Sequence, residues 1–231
     1  MSKSETIVIS VGGSLIVPDQ IDTAFLAKLK DFIIKETTDG RRFVIIAGGG
    51  KTARRYQEAA GEVSSLQSED LDWLGLHATR LNGHLLRTIF RDLAYPTIIT
   101  NPDEILDVPT DSPLIIAAGY RPGASTDLRA IQIANNIKAH RVINLSNTDY
   151  VYTANPATNP TAEKIEEISW TDFRKLIPEE WDPGLSSPFD PVAAKEAERL
   201  GIEVAQINGT HLEYLINYLH EEDFIGTRIH V

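Results

Sequence analysis

Six short apolar runs, Thr6 to Val11, Phe43 to Ala47, Thr97 to Thr100, Leu114 to Ala118, Arg141 to Leu145 and Val204 to Ile207, punctuate this chain, and helical patterns separate most of them. Runs of this length, rich in Val and Ile and apolar almost throughout, read as strands buried on both faces. The helical patterns are Asp22 to Glu36, Glu69 to Leu93, Thr126 to Ala139, Pro191 to Leu200 and Thr210 to His220. Alternation of strand, helix and strand predicts a mostly parallel α/β sheet covered on both faces. With 231 residues, no internal repeat and no long linker, the expected organisation is a single domain over residues 1–231. Asn155 to Pro160 and Glu179 to Pro191 are Pro-rich loops, the second leading into a helix whose first residue is Pro191.

In such a sheet, ligands bind beyond the carboxyl ends of the strands. The strand ends here share one character: the first leads into Gly12-Gly13-Ser14, the second into Gly48-Gly49-Gly50, and later ones into Gly119 with Pro122-Gly123 and into Ser146-Asn147-Thr148-Asp149. Glycine admits positive φ and lets a phosphate approach the backbone amides. One glycine loop is as consistent with a tight turn as with anion binding, whereas two after parallel strands favour a site for two phosphorylated ligands. Gly49-Gly50-Lys51-Thr52 is not a P-loop, because Ile45 occupies the place of the required first glycine. Arg54 and Arg55 fall in the first helical turn after these glycines, as phosphate-gripping guanidinia or as a solvated basic pair.

In the long helix Glu69 to Leu93, the residues Leu71, Leu74, Ala78, Leu81, Leu85 and Ile89 keep helical spacing and predict a core stripe. The other face carries Asp72, Gly75, Leu76, Thr79 and Gly83, and a mid-helix glycine costs about 1 kcal/mol relative to alanine. Close approach by a ligand or by a second helix, including one in another subunit, accounts for that cost equally well. Asp127 opens the helix after Gly119 to Thr126, either as a reacting-centre acid or as an acid favoured there by the helix dipole beside a Ser125 or Thr126 cap. Asp149 is a second acidic candidate.

Acidic residues outnumber basic ones by 33 to 22, a net charge of −11, which argues against nonspecific nucleic-acid binding. Cysteine is absent, the first residues lack a signal-peptide pattern, and no apolar run is long enough to span a membrane, so a cytoplasmic location without membrane partners is expected.

Assembled in order, VGGSLIVP from Val11, AGGGKTARRY from Ala47, LDWLGLHATRLNGHLL from Leu71, GYRPGASTD from Gly119, INLSNTDYVYTANPATNPTAEKI from Ile143, SSPFDPVAAK from Ser186 and the closing Gly226-Thr227 resemble the amino acid kinase superfamily, in particular archaeal-type UMP kinases. The resemblance spans nearly the whole chain. It implies a three-layer αβα sandwich around a mostly parallel sheet, a homohexamer arranged as a trimer of dimers, and conversion of UMP and ATP to UDP and ADP with Mg²⁺ carried by ATP and no dedicated metal ligands. Carried over by motif, Gly12, Gly13, Ser14, Gly50, Arg54, Ser146, Asp149, Tyr152 and Asn155 would contact ATP. Gly49, Asp72, Gly119, Pro122, Gly123, Ala124, Ser125 and Thr126 would contact UMP. Asp127 and Arg54 would act in phosphoryl transfer.

Three departures fall on the ATP half: Ser10 replaces a lysine common two positions before the glycine pair, Tyr150 replaces the glycine of D-G-V-Y, and Asn155 replaces the aspartate of D-P. On the UMP half, Gly83 and Ala118 exchange the usual Ala and Gly. Two other readings are open at this level: a kinase for another small acceptor, and a nucleotide-binding oligomer of this fold without catalysis.

Overall fold

A computed structural model describes residues 6–180 and 187–231. In chain order the elements are β1 (Thr6–Val11), α1 (Gly13–Ile16), α2 (Thr23–Thr38), β2 (Arg42–Ala47), α3 (Gly50–Val63), α4 (Ser68–Ile89), a 3₁₀ turn (Pro102–Asp107), β3 (Leu114–Ala117), α5 (Thr126–Asn136), β4 (Arg141–Ser146), β5 (Val151–Tyr152), β6 (Lys164–Ile165), β7 (Glu167–Ser169), α6 (Trp170–Phe173), α7 (Pro191–Leu200), β8 (Glu203–Asn208), α8 (Leu212–Leu219) and β9 (Thr227–His230). A seven-stranded sheet runs β3-β2-β1-β4-β8-β9-β7. Its first five strands are mutually parallel, β9 is antiparallel to β8, and β7 is parallel to β9.

Strand alternation divides the core. Ile7, Ile9, Phe43 and Ile45 meet Leu29, Ile33 and Leu215 of α2 and α8 on one face. On the other, Val8, Val44, Ile46 and Val204 meet Ile131 of α5, Phe173 of α6 and Ala194 of α7. Burial of both faces is why these strands are apolar at consecutive positions. The same alternation aims Ser10 at the α5 face, where apolar neighbours would otherwise stand.

The caps are local and sequence-encoded. Ser125 accepts the Leu128 N–H at 3.1 Å to start α5, and Asp190 accepts the Ala193 N–H at 2.7 Å ahead of Pro191, the first residue of α7.

One expectation fails and another holds only in part. Thr97 to Thr100 is no strand: Ile99 alone bridges Ala117, donating to the Ile116 carbonyl at 2.9 Å. Pro96 and Pro102 bound the segment and leave room for little more pairing. The apolar stripe of α4 is only in part its core face, with Ala78 buried and Leu85 and Ile89 packed against the core. Leu76, Ala78, Thr79, Asn82, Gly83 and Leu86 are buried, while Leu81 is 61% exposed and Leu71, Leu74, Leu85 and Ile89 are half-buried. The buried face is rotated from the apolar stripe, since polar Thr79 and Asn82 turn inward to serve the loops. Short elements without periodic signal, α1, α6, β7, β9 and the β5–β6 hairpin, are additions to the sequence reading.

Candidate active site

The glycine loops after β1 and β2 touch. A Cβ on Gly13 would lie 1.9 Å from the Gly50 nitrogen, and a Cβ on Gly50, at φ +61°, would lie 2.2 Å from the Gly13 carbonyl oxygen. No side chain fits at either position, so two backbones form one ridge with amides available on it. Asn82, buried in α4, braces this ridge by donating from Nδ2 to the Gly48 carbonyl at 2.7 Å.

Around the ridge opens a cleft of about 430 Å³ at the carboxyl ends of β1 to β4. Gly12, Gly13, Ser14, Gly49, Gly50, Arg54, Asp72, Gly119, Pro122, Ala124, Ser125, Thr126, Asp127 and Ser146 all line it. Gly123 stands just behind the lining at φ +78°, its N–H donated to Asp72 Oδ2 at 2.8 Å. That bond ties α4 to the 119–126 loop. Thr79 adds a second tie, accepting the Gly119 N–H at 2.9 Å, and Arg80 a third, donating from Nε to the Gly119 carbonyl at 3.1 Å and from Nη2 to the Tyr120 carbonyl at 2.9 Å.

The two arginines of α3 separate. Arg55 pairs with Asp19 at 2.7 Å, whereas Arg54 lines the cleft without an ion pair among the described residues. Of the helix glycines, Gly75 faces the cleft. Gly83 does not: a Cβ there would meet the Ala118 Cβ at 3.4 Å, so the exchange at 83 and 118 is a matched packing pair.

Asp127 opens onto the cleft but is closely surrounded by protein. Ser10 Oγ donates to its Oδ1 at 3.1 Å and the Asp190 N–H to its Oδ2 at 3.3 Å. Removal from water, with the Asp190 carboxylate second, pushes its pKa up to about 6 against these two hydrogen bonds. Desolvation also raises Asp190, whose carboxylate accepts helix N–H groups and the Ser125 hydroxyl. The cleft floor therefore holds the Asp127 carboxylate at the N-terminus of α5, with the Asp190 carboxylate at the N-terminus of α7 close behind it.

Besides Gly123, three sequence-nominated residues lie outside this lining. Asp149 accepts from Asn208 Nδ2 at 2.7 Å. Tyr152 pairs with Lys164 in the β5–β6 hairpin, and Asn155 turns its own loop by accepting the Ala157 N–H at 3.0 Å. Sequence reasoning in turn misses Gln57, Asn144 and Ser187, which do line the cleft beside Arg121 of the 119–126 loop, and Asp190 behind it. For Asn144 a signal exists: it is a polar residue near the carboxyl end of the otherwise apolar run Val142 to Leu145. Ser186, the first residue of the last long motif, lies outside the described residues.

The family model for the amino acid kinase family matches residues 5–208. Similar curated proteins include the uridylate kinase of Hyperthermus butylicus, 33% identical over 207 residues with 90% of each chain covered, and that of Methanospirillum hungatei, 32% identical over 225 residues with 97% of this chain and 94% of that one covered. The crystal structure of the uridylate kinase of Archaeoglobus fulgidus superposes with a TM-score of 0.81 at 27% identity, covering 96% of this chain and 99% of that chain. A ridge of two crossed glycine loops, a buried acid beside it and a match over most of the chain lead to one conclusion: this chain belongs to the amino acid kinase family.

Proposed function

We propose that this chain is a UMP kinase, transferring the γ-phosphoryl group of ATP to UMP to give UDP and ADP. The observation that carries the reading is the cleft divided by the Gly13–Gly50 ridge, with Asp127 at its floor. The uridylate kinase relatives name the acceptor. In this reading UMP lies against Asp72 and the 119–126 loop, and the ATP phosphates lie against Gly12, Gly13, Ser14 and Gly50, with Ser146 toward the nucleoside. Phosphoryl transfer asks for little covalent chemistry from the protein and much positioning and charge neutralisation. Amides of the ridge and Arg54 meet the negative oxygens. Asp127, held at both oxygens, is the acid that organises the transfer at the cleft floor.

Mg²⁺ belongs to the proposal as a companion of ATP, neutralising the transferred charge. Mg²⁺ is commonly held by one or two carboxylates plus substrate phosphates. Asp127 is the carboxylate that would face it. A homohexamer is also proposed, supported by Trp73, Leu81, Tyr56 and Val63, which leave an apolar surface open along α3 and α4. No described helix is long and apolar enough to cross a membrane.

The test is to incubate the protein with Mg-ATP and each of UMP, CMP, AMP and GMP and to follow ADP. UMP-dependent turnover at about 1 to 100 per second is expected. UMP binding without ADP release would instead favour a non-catalytic oligomer, and preference for another acceptor would replace UMP.

A further inference from the structure

Arg129, two residues beyond Asp127 on α5, plays no part in the chemistry above, yet it is 3% exposed. Its Nη1 donates to Gln132 Oε1 at 2.5 Å, while Nε and Nη2 are buried without a hydrogen-bond partner. A guanidinium so placed costs far more than a leucine or methionine of similar volume. It faces the ring of Tyr120, whose centroid lies 5.4 Å from Arg129 Cζ. Arg121 Cζ lies 5.7 Å from the same centroid. One ring is thus flanked by two guanidinia, one on α5 and one on the acceptor loop itself. Arg121 lines the cleft and Tyr120 does not, so the ring anchors the loop from behind while its neighbour reaches the ligand.

We propose that Arg129 is a positioning residue for the acceptor: through Tyr120 it fixes the 119–126 loop, and with it Arg121, at the geometry that receives the acceptor phosphate. The attraction of a cation to the face of an aromatic ring supplies the hold in a site where water does not compete. The like charge of Arg121 opposes it, and burial and Arg121 together depress the Arg129 pKa. A phosphate beside Arg121 offsets that repulsion, so the clamp tightens when the acceptor arrives. The other ties of this loop, from Asp72, Thr79 and Arg80, reach its backbone, while Asp190 takes the Ser125 hydroxyl at its far end; the Arg129 contact holds the side chain next to Arg121.

The acceptor role rests on the UMP reading, so the first readout avoids nucleotide altogether. Hydrogen exchange of the protein without ligand, comparing wild type with Arg129→Met and Tyr120→Leu, is expected to show faster exchange at 119–126 and no change at 48–50, and Arg129→Lys, which keeps a cation beside the ring, is expected to fall between them and wild type. Steady-state kinetics are then expected to show the UMP KM raised about tenfold, with the ATP KM and kcat within about twofold. The Tyr120→Leu, Arg129→Met double variant is expected to be no worse than either single variant, because both break one contact. Unchanged exchange at 119–126, additive single effects, or equal rises in both KM values would overturn the proposal. Tyr120→Leu removes the ring and leaves Arg129 in place, so the test stands even where Arg129→Met fails to fold. Faster loop exchange in the variants of a protein that binds no UMP would uphold the clamp and count against the UMP reading alone.

Discussion

The acceptor and donor halves of the cleft differ in how directly the sequence discloses them. On the acceptor side, Gly49, Asp72, Gly119, Pro122, Ala124, Ser125, Thr126 and Asp127 converge on one cavity. On the side proposed for the donor, Gly12, Gly13, Ser14, Gly50, Arg54 and Ser146 reach the same cavity, but Asp149 and Asn155 direct their polar groups into bonds with β8 and with their own loop, and Tyr152 sits in the β5–β6 hairpin. The difference is one of backbone determinacy. Residues immediately after a buried strand, or on a long helix, inherit their position from elements whose existence the hydrophobic pattern settles. Residues 147–166 form a loop and a two-residue-per-strand hairpin, and tertiary contacts decide their course: Thr227, fully buried, takes the Val151 N–H at 2.8 Å and donates to the Ile165 carbonyl at 2.5 Å.

The sharpest test of the acceptor half is Asp127→Asn. We expect kcat to fall about 100- to 10,000-fold with UMP affinity, measured by calorimetry, within about threefold of wild type. Parallel losses of both would make Asp127 a binding group instead. The same substitution is expected to stabilise the fold. With its folded pKa raised to about 6 from the ordinary 3.8, ionised Asp127 destabilises the native state above pH 6, and that penalty fades as pH falls through 6 toward 4. Asn should therefore raise the unfolding free energy read from urea titration at pH 8 by about 1 to 2 kcal/mol, and give no gain at pH 4. A variant that loses turnover and gains stability marks a group kept for function.

Ser10 shows why the donor half is harder to judge. Read as a sequence, it is a lost lysine. In the fold it occupies the strand position facing α5 and donates to Asp127, so it belongs to the reacting centre as a neutral partner. Strand alternation, available from the sequence, predicts the face, but the partner across 117 positions is visible only once α5 is docked on β1. The core stripe of α4 teaches the converse lesson. Leucines at Leu74, Leu81 and Leu85 carry the period, yet the buried face is the one bearing Thr79, Asn82 and Gly83, because there the helix must hydrogen-bond loops and approach Ala118 closely.

Arg54 and Arg55 give a comparison inside a single helical turn. Arg54→Ala is expected to raise the UMP KM or the ATP KM about 10- to 100-fold by removing a charge-assisted phosphate contact, whereas Arg55→Ala should stay within about threefold, since an exposed pair such as Arg55 with Asp19 contributes little. Equal effects would mean that both guanidinia reach the ligand and that the α3 end of the cleft is larger than the unliganded geometry shows.

The smallest expected effect belongs to the donor half. Asn155→Asp restores the charge that the D-P pattern carries, and the carboxylate can keep the bond that Asn155 Oδ1 now accepts from the Ala157 N–H. If the 153–163 loop is held by its own turns, as the Thr153 N–H to the Glu163 carbonyl at 3.0 Å indicates, the new charge stays solvated and distant from the phosphates. The ATP KM should then change by less than about twofold, a shift of the size that exposed charges usually give. A change of about tenfold in either direction would place this loop against bound ATP, and the contrast between the two halves would then reflect a donor site that assembles only around its nucleotide.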